Sequence, residues 1–150
     1  MKRVKGGRKV LTGQITEGTY DGQENKITLF DGKFTTGYKL ISFQIAPVSP
    51  NSSQEISAKL STQPKSTVTT WFWQDVEEIA WAHWGADKYQ DSFSNVREDT
   101  MIVEDLYISA YNETIDGAYV NYEIILEKYE FNAWDGAATM VRNNSQSGPA

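Results

Sequence analysis

Apolar and polar residues alternate with a period of two along most of the chain. That spacing turns one face of an extended strand to a core and the other to solvent. Val10 to Thr16 reads as a first strand, followed by the turn residues Glu17-Gly18 and Asp21-Gly22. Lys26 to Phe30 is a short strand closed by Asp31-Gly32, a strong turn dipeptide. From Tyr38 to Ala46, Ile41, Phe43 and Ile45 point one way and Ser42 and Gln44 the other. Pro47 and Pro50 end that run, because proline cannot donate to a ladder. Ile56, Ala58 and Leu60 then alternate with Ser57, Lys59 and Ser61.

Ser61 to Thr70 has the Ser/Thr/Gln/Pro composition of a surface loop, and Trp71-Phe72-Trp73 resumes the apolar signal. Asp75 to Trp84 satisfies two periods. Val76, Ile79, Ala80 and His83 fall at helical spacing, with Asp75 and Glu78 imitating a capping box. Ile79, Trp81 and His83 also alternate with Ala80, Ala82 and Trp84, and the strand-rich surroundings favour a strand. Gly85 to Asp99 is polar and turn-rich. The two longest strands follow, Met101 to Tyr111 and Tyr119 to Phe131, joined as a hairpin by Asn112 to Gly117. Ile102, Leu106, Ile108 and Ala110 share one face of the first, interrupted by Glu104, and Val120, Tyr122, Ile124 and Leu126 turn inward from the second. Trp134, Ala137, Ala138 and Val141 predict a short C-terminal helix or clasp. The pattern predicts an all-β fold, an antiparallel β-sandwich or jelly roll of about seven or eight strands. A single domain over 10–142 would follow a basic N-terminal arm, 1–9, and precede a C-terminal tail, 143–150.

Composition narrows the chemistry. The 150 residues include no Cys, which excludes disulfide scaffolds, thiolate metal sites and thiol catalysis. The longest apolar run, Ile79 to Ala82, is far short of the roughly 20 residues that span a bilayer. No signal peptide is visible behind the basic N-terminus, so synthesis in the cytoplasm is expected. Charge is uneven. Lys2, Arg3, Lys5, Arg8 and Lys9 hold five of the fourteen bases, leaving nine bases against twenty acids in the remainder, a net of −11. Such an arm can hold nucleic-acid phosphates, dock on an acidic neighbouring subunit, or remain a solvated tail.

The lone His83 lies among Ala and Trp, where a packed, hydrogen-bonded role is commoner than catalysis, and no Gly-x-Ser-x-Gly elbow accompanies it. Glu104, Asp105, Glu123, Glu127 and Glu130 on the paired long strands offer a glycosidase-like pair or a calcium site. They fit a solvent-facing sheet surface better. No catalytic, cofactor-binding or metal-binding residue is assigned. The aromatic residues are the sharper feature. Trp71 and Trp73 share a face of an extended chain, and Trp81, Trp84 and Trp134 add three more indoles. Core filling, a subunit interface and sugar stacking are the three uses such a set serves.

The segments Glu78 to Trp84, Met101 to Ile108 and Asn121 to Tyr129 resemble small structural proteins of tailless or otherwise uncultured marine phages. The likeness runs from Lys9 to about Gln146. It implies a β-sandwich or jelly-roll virion subunit of capsid or decoration type, with no catalytic residues. The partners it implies are copies of itself or other virion subunits, with encapsidated nucleic acid reached through the arm. The alternative is a carbohydrate-binding module, or a phage receptor-binding domain taking a glycan on exposed Trp and Tyr.

Overall fold

The computed structural model describes residues 2–15, 23–30, 32, 35–49, 54–85, 92–112 and 119–131. Among them are nine strands and no helix: β1 (Lys2–Ile15), β2 (Gln23–Ile27), β3 (Thr36–Pro47), β4 (Ile56–Ser61), β5 (Glu78–Trp84), β6 (Phe93–Val96), β7 (Met101–Ile102), β8 (Leu106–Asn112) and β9 (Val120–Glu130). One sheet runs β1-β9-β3-β7 and the other β2-β8-β4-β5-β6. Every neighbouring pair is antiparallel. With β6 set aside as an added edge strand, the remaining eight strands have the jelly-roll order, two four-stranded sheets between which the chain crosses repeatedly. The expected C-terminal clasp, with Trp134, and the tail lie outside the described residues.

The core fills the gap between the sheets. Leu40, Phe43, Ile45, Val120, Ile124 and Leu126 face Ile56, Ala58, Leu60, Ala80, Ala82, Leu106, Ile108 and Ala110, all buried. β4 and β9 keep the predicted alternation. In β3 the phase changes: Leu40 pairs with Leu126 but Ser42 with Ile125, so Ile41 is an extra residue. Leu40, rather than Ile41, therefore joins Phe43 and Ile45 in the core. The ambiguous segment is a strand, β5.

Three expectations need correction. Of the expected arm, 1–9, residues 2–9 belong to β1, which pairs with β9 at Lys2↔Glu130 and Arg3↔Tyr129 and, after a register shift, from Arg8↔Glu127 to Ile15↔Val120. The two long C-terminal strands do not form a hairpin. The first divides into β7, paired with β3, and β8, which lies in the opposite sheet between β2 and β4. Asp105 sits at this crossing, where its Oδ1 accepts the N–H groups of Leu29 and Phe30 at 3.0 and 3.3 Å, and Lys26 Nζ lies 3.3 Å from Oδ2. Finally, the polar stretch after Gly85 contains a strand, β6, which pairs with β5. Its Ser94 hydroxyl donates to the Phe43 carbonyl, linking the sheets.

Beside this crossing a smaller cluster, Met101, Val103 and Phe131, closes one end of the sandwich. Gly37 lies against it. A Cβ there would stand 2.9 Å from Met101 Sδ, 3.0 Å from the Ile102 carbonyl and 3.0 Å from the Phe131 ring. Gly37→Ala is expected to destabilise the fold by about 1–3 kcal/mol through overpacking, read as a lower urea midpoint at unchanged slope.

Candidate functional site

The residues best organised for function lie on the outer face of the second sheet. Ala58 and Leu60 turn into the core, so Lys59 on β4 must turn out, yet its side chain is 0% exposed. It is covered by residues 62–77, a strap that leaves β4 and returns to β5. Lys59 Nζ donates to the Thr67 and Thr70 carbonyls, both at 2.8 Å, and to Glu78 Oε2 at 3.0 Å. Those contacts use all three ammonium hydrogens. Glu78, also fully buried, accepts the Phe72 N–H at 2.9 Å and the Trp81 indole N–H at 3.1 Å on Oε1. The Phe72 ring lies 6.0 Å from the ammonium.

A second buried cation fastens the rest of the strap. Lys65 Nζ lies 2.9 Å from Asp75 Oδ2 and 3.3 Å from Glu77 Oε1, while Asp75 Oδ1 accepts the Glu77 N–H. Glu24 on β2 accepts the Lys65 backbone N–H at 2.9 Å, tying the strap to the far edge of the sheet. Burial opposes the charge on Lys65, but the hydrogen bonds and charges of Asp75 and Glu77 outweigh it and raise its pKa above 10.5.

The strap disposes the predicted Trp residues in three ways. Trp81 is buried, at 1% exposure, and Trp73 is 51% exposed. Their rings stack with centroids 5.2 Å apart and planes 27° apart. Arg97 reaches over Trp81, its guanidinium 5.1 Å from the ring centre, and donates to the carbonyls of Asp75 and Trp73. Trp71 is half-buried and meets Phe93 edge-on at 5.7 Å. Trp71 and Trp73 thus point to different neighbours, because the strap is irregular at this point and has no strand alternation to align them. Trp84 is half-buried against the core. The indole N–H groups of Trp71 and Trp84 are buried and have no hydrogen-bond partner among the described residues.

Trp84 also separates two hollows at the open end of the sandwich. One, of ≈ 520 Å³, lies between the sheets over Gly13, Ile45 and Tyr122. The other, of ≈ 240 Å³, is bounded by Gln44, His83, Phe93 and Ser94. His83 is held on the sheet face, with Nδ1 3.0 Å from Ser57 Oγ.

The N-terminal bases lie along β9. Arg3 and Arg8 approach Glu127 at 3.6 and 4.0 Å, with side chains 66% and 60% exposed. Lys9 Nζ is 5.9 Å from the Tyr38 ring centre, Lys2 is exposed, and for Lys5 the strand position alone is described. Of the acids that could supply a glycosidase-like pair, Glu104 and Glu123 are not brought together: Glu104 lies two residues beyond Ile102, on the side away from Glu123. Ile102 lies opposite Tyr38 and Glu123 opposite Gln44, six positions along β3, or roughly 17–20 Å at strand rise. A glycosidase pair needs about 5–9.5 Å. Among the described residues, no three acidic or histidine side chains converge on a possible metal site. No helix among them is long and apolar enough to cross a membrane. No protein-family model matches the sequence, and no curated protein matches it.

Two outcomes follow for the strap. Glu78→Gln leaves Lys59 buried without a counter-charge and should cost about 3–5 kcal/mol in urea unfolding. Lys59→Met combined with Glu78→Gln should cost clearly less than the sum of the single changes. Because its folded pKa is raised, Lys65 contributes stability that is fully present below 10.5 and is lost as pH climbs through the higher folded value. Unfolding measured between about pH 9 and 12 should show wild type losing this component at the alkaline end, and Lys65→Met lacking it throughout.

Proposed function

We propose that the chain is a non-enzymatic structural subunit of a virion, of the capsid or decoration type that its sequence resemblance implies, and that β1 is the strand by which it meets its neighbours. The jelly-roll strand order supports this reading, since viral capsid proteins are among the users of that architecture, although fold alone does not fix function. The observation that carries the reading is β1 itself. It is an edge strand of 14 residues, regularly paired with β9 from Arg8 to Ile15 and irregular between Arg3 and Arg8, and among the described residues nothing pairs with its outer rim. Unpaired backbone of that length is a template for a second chain.

Charge selects the partner. Lys2, Arg3, Arg8 and Lys9 keep their side chains exposed along that edge. The rest of the chain is strongly acidic, with nine acids between Glu98 and Glu130 against Lys128 alone. A basic rim on an acidic body is self-complementary between copies, in a head-to-tail contact. Glu127 meets Arg3 and Arg8 in the same way within one copy.

The combined variant Arg3→Glu, Arg8→Glu, Lys9→Glu tests the proposal by native mass and light scattering. Wild type should form assemblies that weaken as salt rises, and the variant should remain at the 16.9 kDa of a monomer with its strand signal intact. Wild type that is a monomer at every salt concentration would overturn the proposal. Assembly by wild type only when nucleic acid is added would move the role of the bases to the genome.

A further inference from the structure

We infer that Trp73 is a binding platform for the ring of a neutral saccharide, independent of the subunit contact at β1. One face of its indole is occupied by Trp81, in a near-parallel stack with centroids 5.2 Å apart, so its 51% exposure is of the remaining side. The ring is also held in place. Arg97 donates to the Trp73 carbonyl, and Trp81 is pinned by its N–H to Glu78. Glu78 is in turn bound by the buried Lys59. An exposed large aromatic ring costs solvation free energy, and here it is presented by a rigid support. Such preorganisation lowers the entropy lost when a ligand binds.

The chemistry around the ring suits hydroxyl groups. Asn95 on β6 is the direct cross-strand partner of Trp81, stands on the same face and is exposed. Gln74, next to Trp73, is also exposed. Each amide offers both a donor and an acceptor, the pairing that a vicinal diol needs, and the C–H face of a pyranose is apolar enough to lie on an indole. Phe93, 42% exposed, is two residues along β6 on the same face, about 7 Å away in strand rise, and gives a second ring to a longer glycan. A phosphate-bearing ligand is disfavoured by exposed Glu98 and Asp99 at the end of β6 and by the net charge of −6.

The test titrates the full chain with neutral oligosaccharides of glucose, galactose, mannose and N-acetylglucosamine, followed by Trp fluorescence. It repeats the titration with Trp73→Ala and Asn95→Ala. At least one sugar class should give a saturable change. Trp73→Ala should weaken it by at least about tenfold at an unchanged unfolding midpoint, and Trp73→Phe should retain part of it. Should Trp73→Ala prove poorly folded, Asn95→Ala carries the test, with a loss of affinity expected and an unaltered affinity counting against the site. Wild type that responds to no sugar, or a response that Trp73→Ala leaves intact, overturns the inference. So does a Trp73→Ala variant that binds no sugar differently but loses self-assembly, which would make the ring a subunit contact.

Discussion

The burial of one ammonium group governs the outer half of this molecule. Removing a charge from water costs several kcal/mol even after relaxation, and the Lys59 ammonium is fully enclosed. Its three hydrogens require three oxygens, and two of these are backbone carbonyls of the strap, at Thr67 and Thr70. The third belongs to Glu78, whose second oxygen fixes both the Phe72 backbone and the Trp81 ring. The path of the strap, the position of the stacked indoles and the anchoring of Arg97 are consequences of that single demand. An apolar side chain at position 59 would fill the space without dictating where the strap must run.

Much of the fold was legible in the sequence because a period of two is a local signal. β3, β4, β5 and β9 follow from it within a few residues. Features that depend on remote partners were hidden. Glu104 interrupts the apolar face of Met101 to Tyr111, but nothing local says that the chain there passes from β7 to β8 between sheets. The marker is Asp105 binding the backbone at Leu29 and Phe30, more than seventy residues away. Lys2 to Lys9, with two glycines among them, have the composition of a loose arm, yet their strand partner is at the other end of the chain. Lys59 was placed on the correct face, between Ser57 and Ser61, but its pattern reads as solvent because the cover comes from a loop of unremarkable composition. The Trp pair at 71 and 73 presumed an extended backbone that the strap does not have.

Two surfaces of different character result, and they lie on different sheets. Among the described residues, the rim of β1 offers unpaired backbone and positive charge; the charge acts over some distance, and neither discriminates strongly between partners. The Trp73 region offers a fixed ring and short polar side chains, which discriminate by shape at contact. A jelly roll separates such surfaces readily, because its two sheets share a core but present opposite faces to solvent.

The pairing of β1 with β9 also sets an order in time. Lys2 to Ile15 leave the ribosome more than a hundred residues before their ladder partners, Val120 to Glu130. Contacts between segments so far apart in sequence carry a loop-closure cost and form slowly. Until β9 emerges, β1 therefore waits without its partner, and it carries the most basic stretch of the chain. Like charge on neighbouring nascent copies keeps such segments apart during that interval. The same lysines and arginines that mark the edge of the finished fold thus act earlier, guarding an unfinished one.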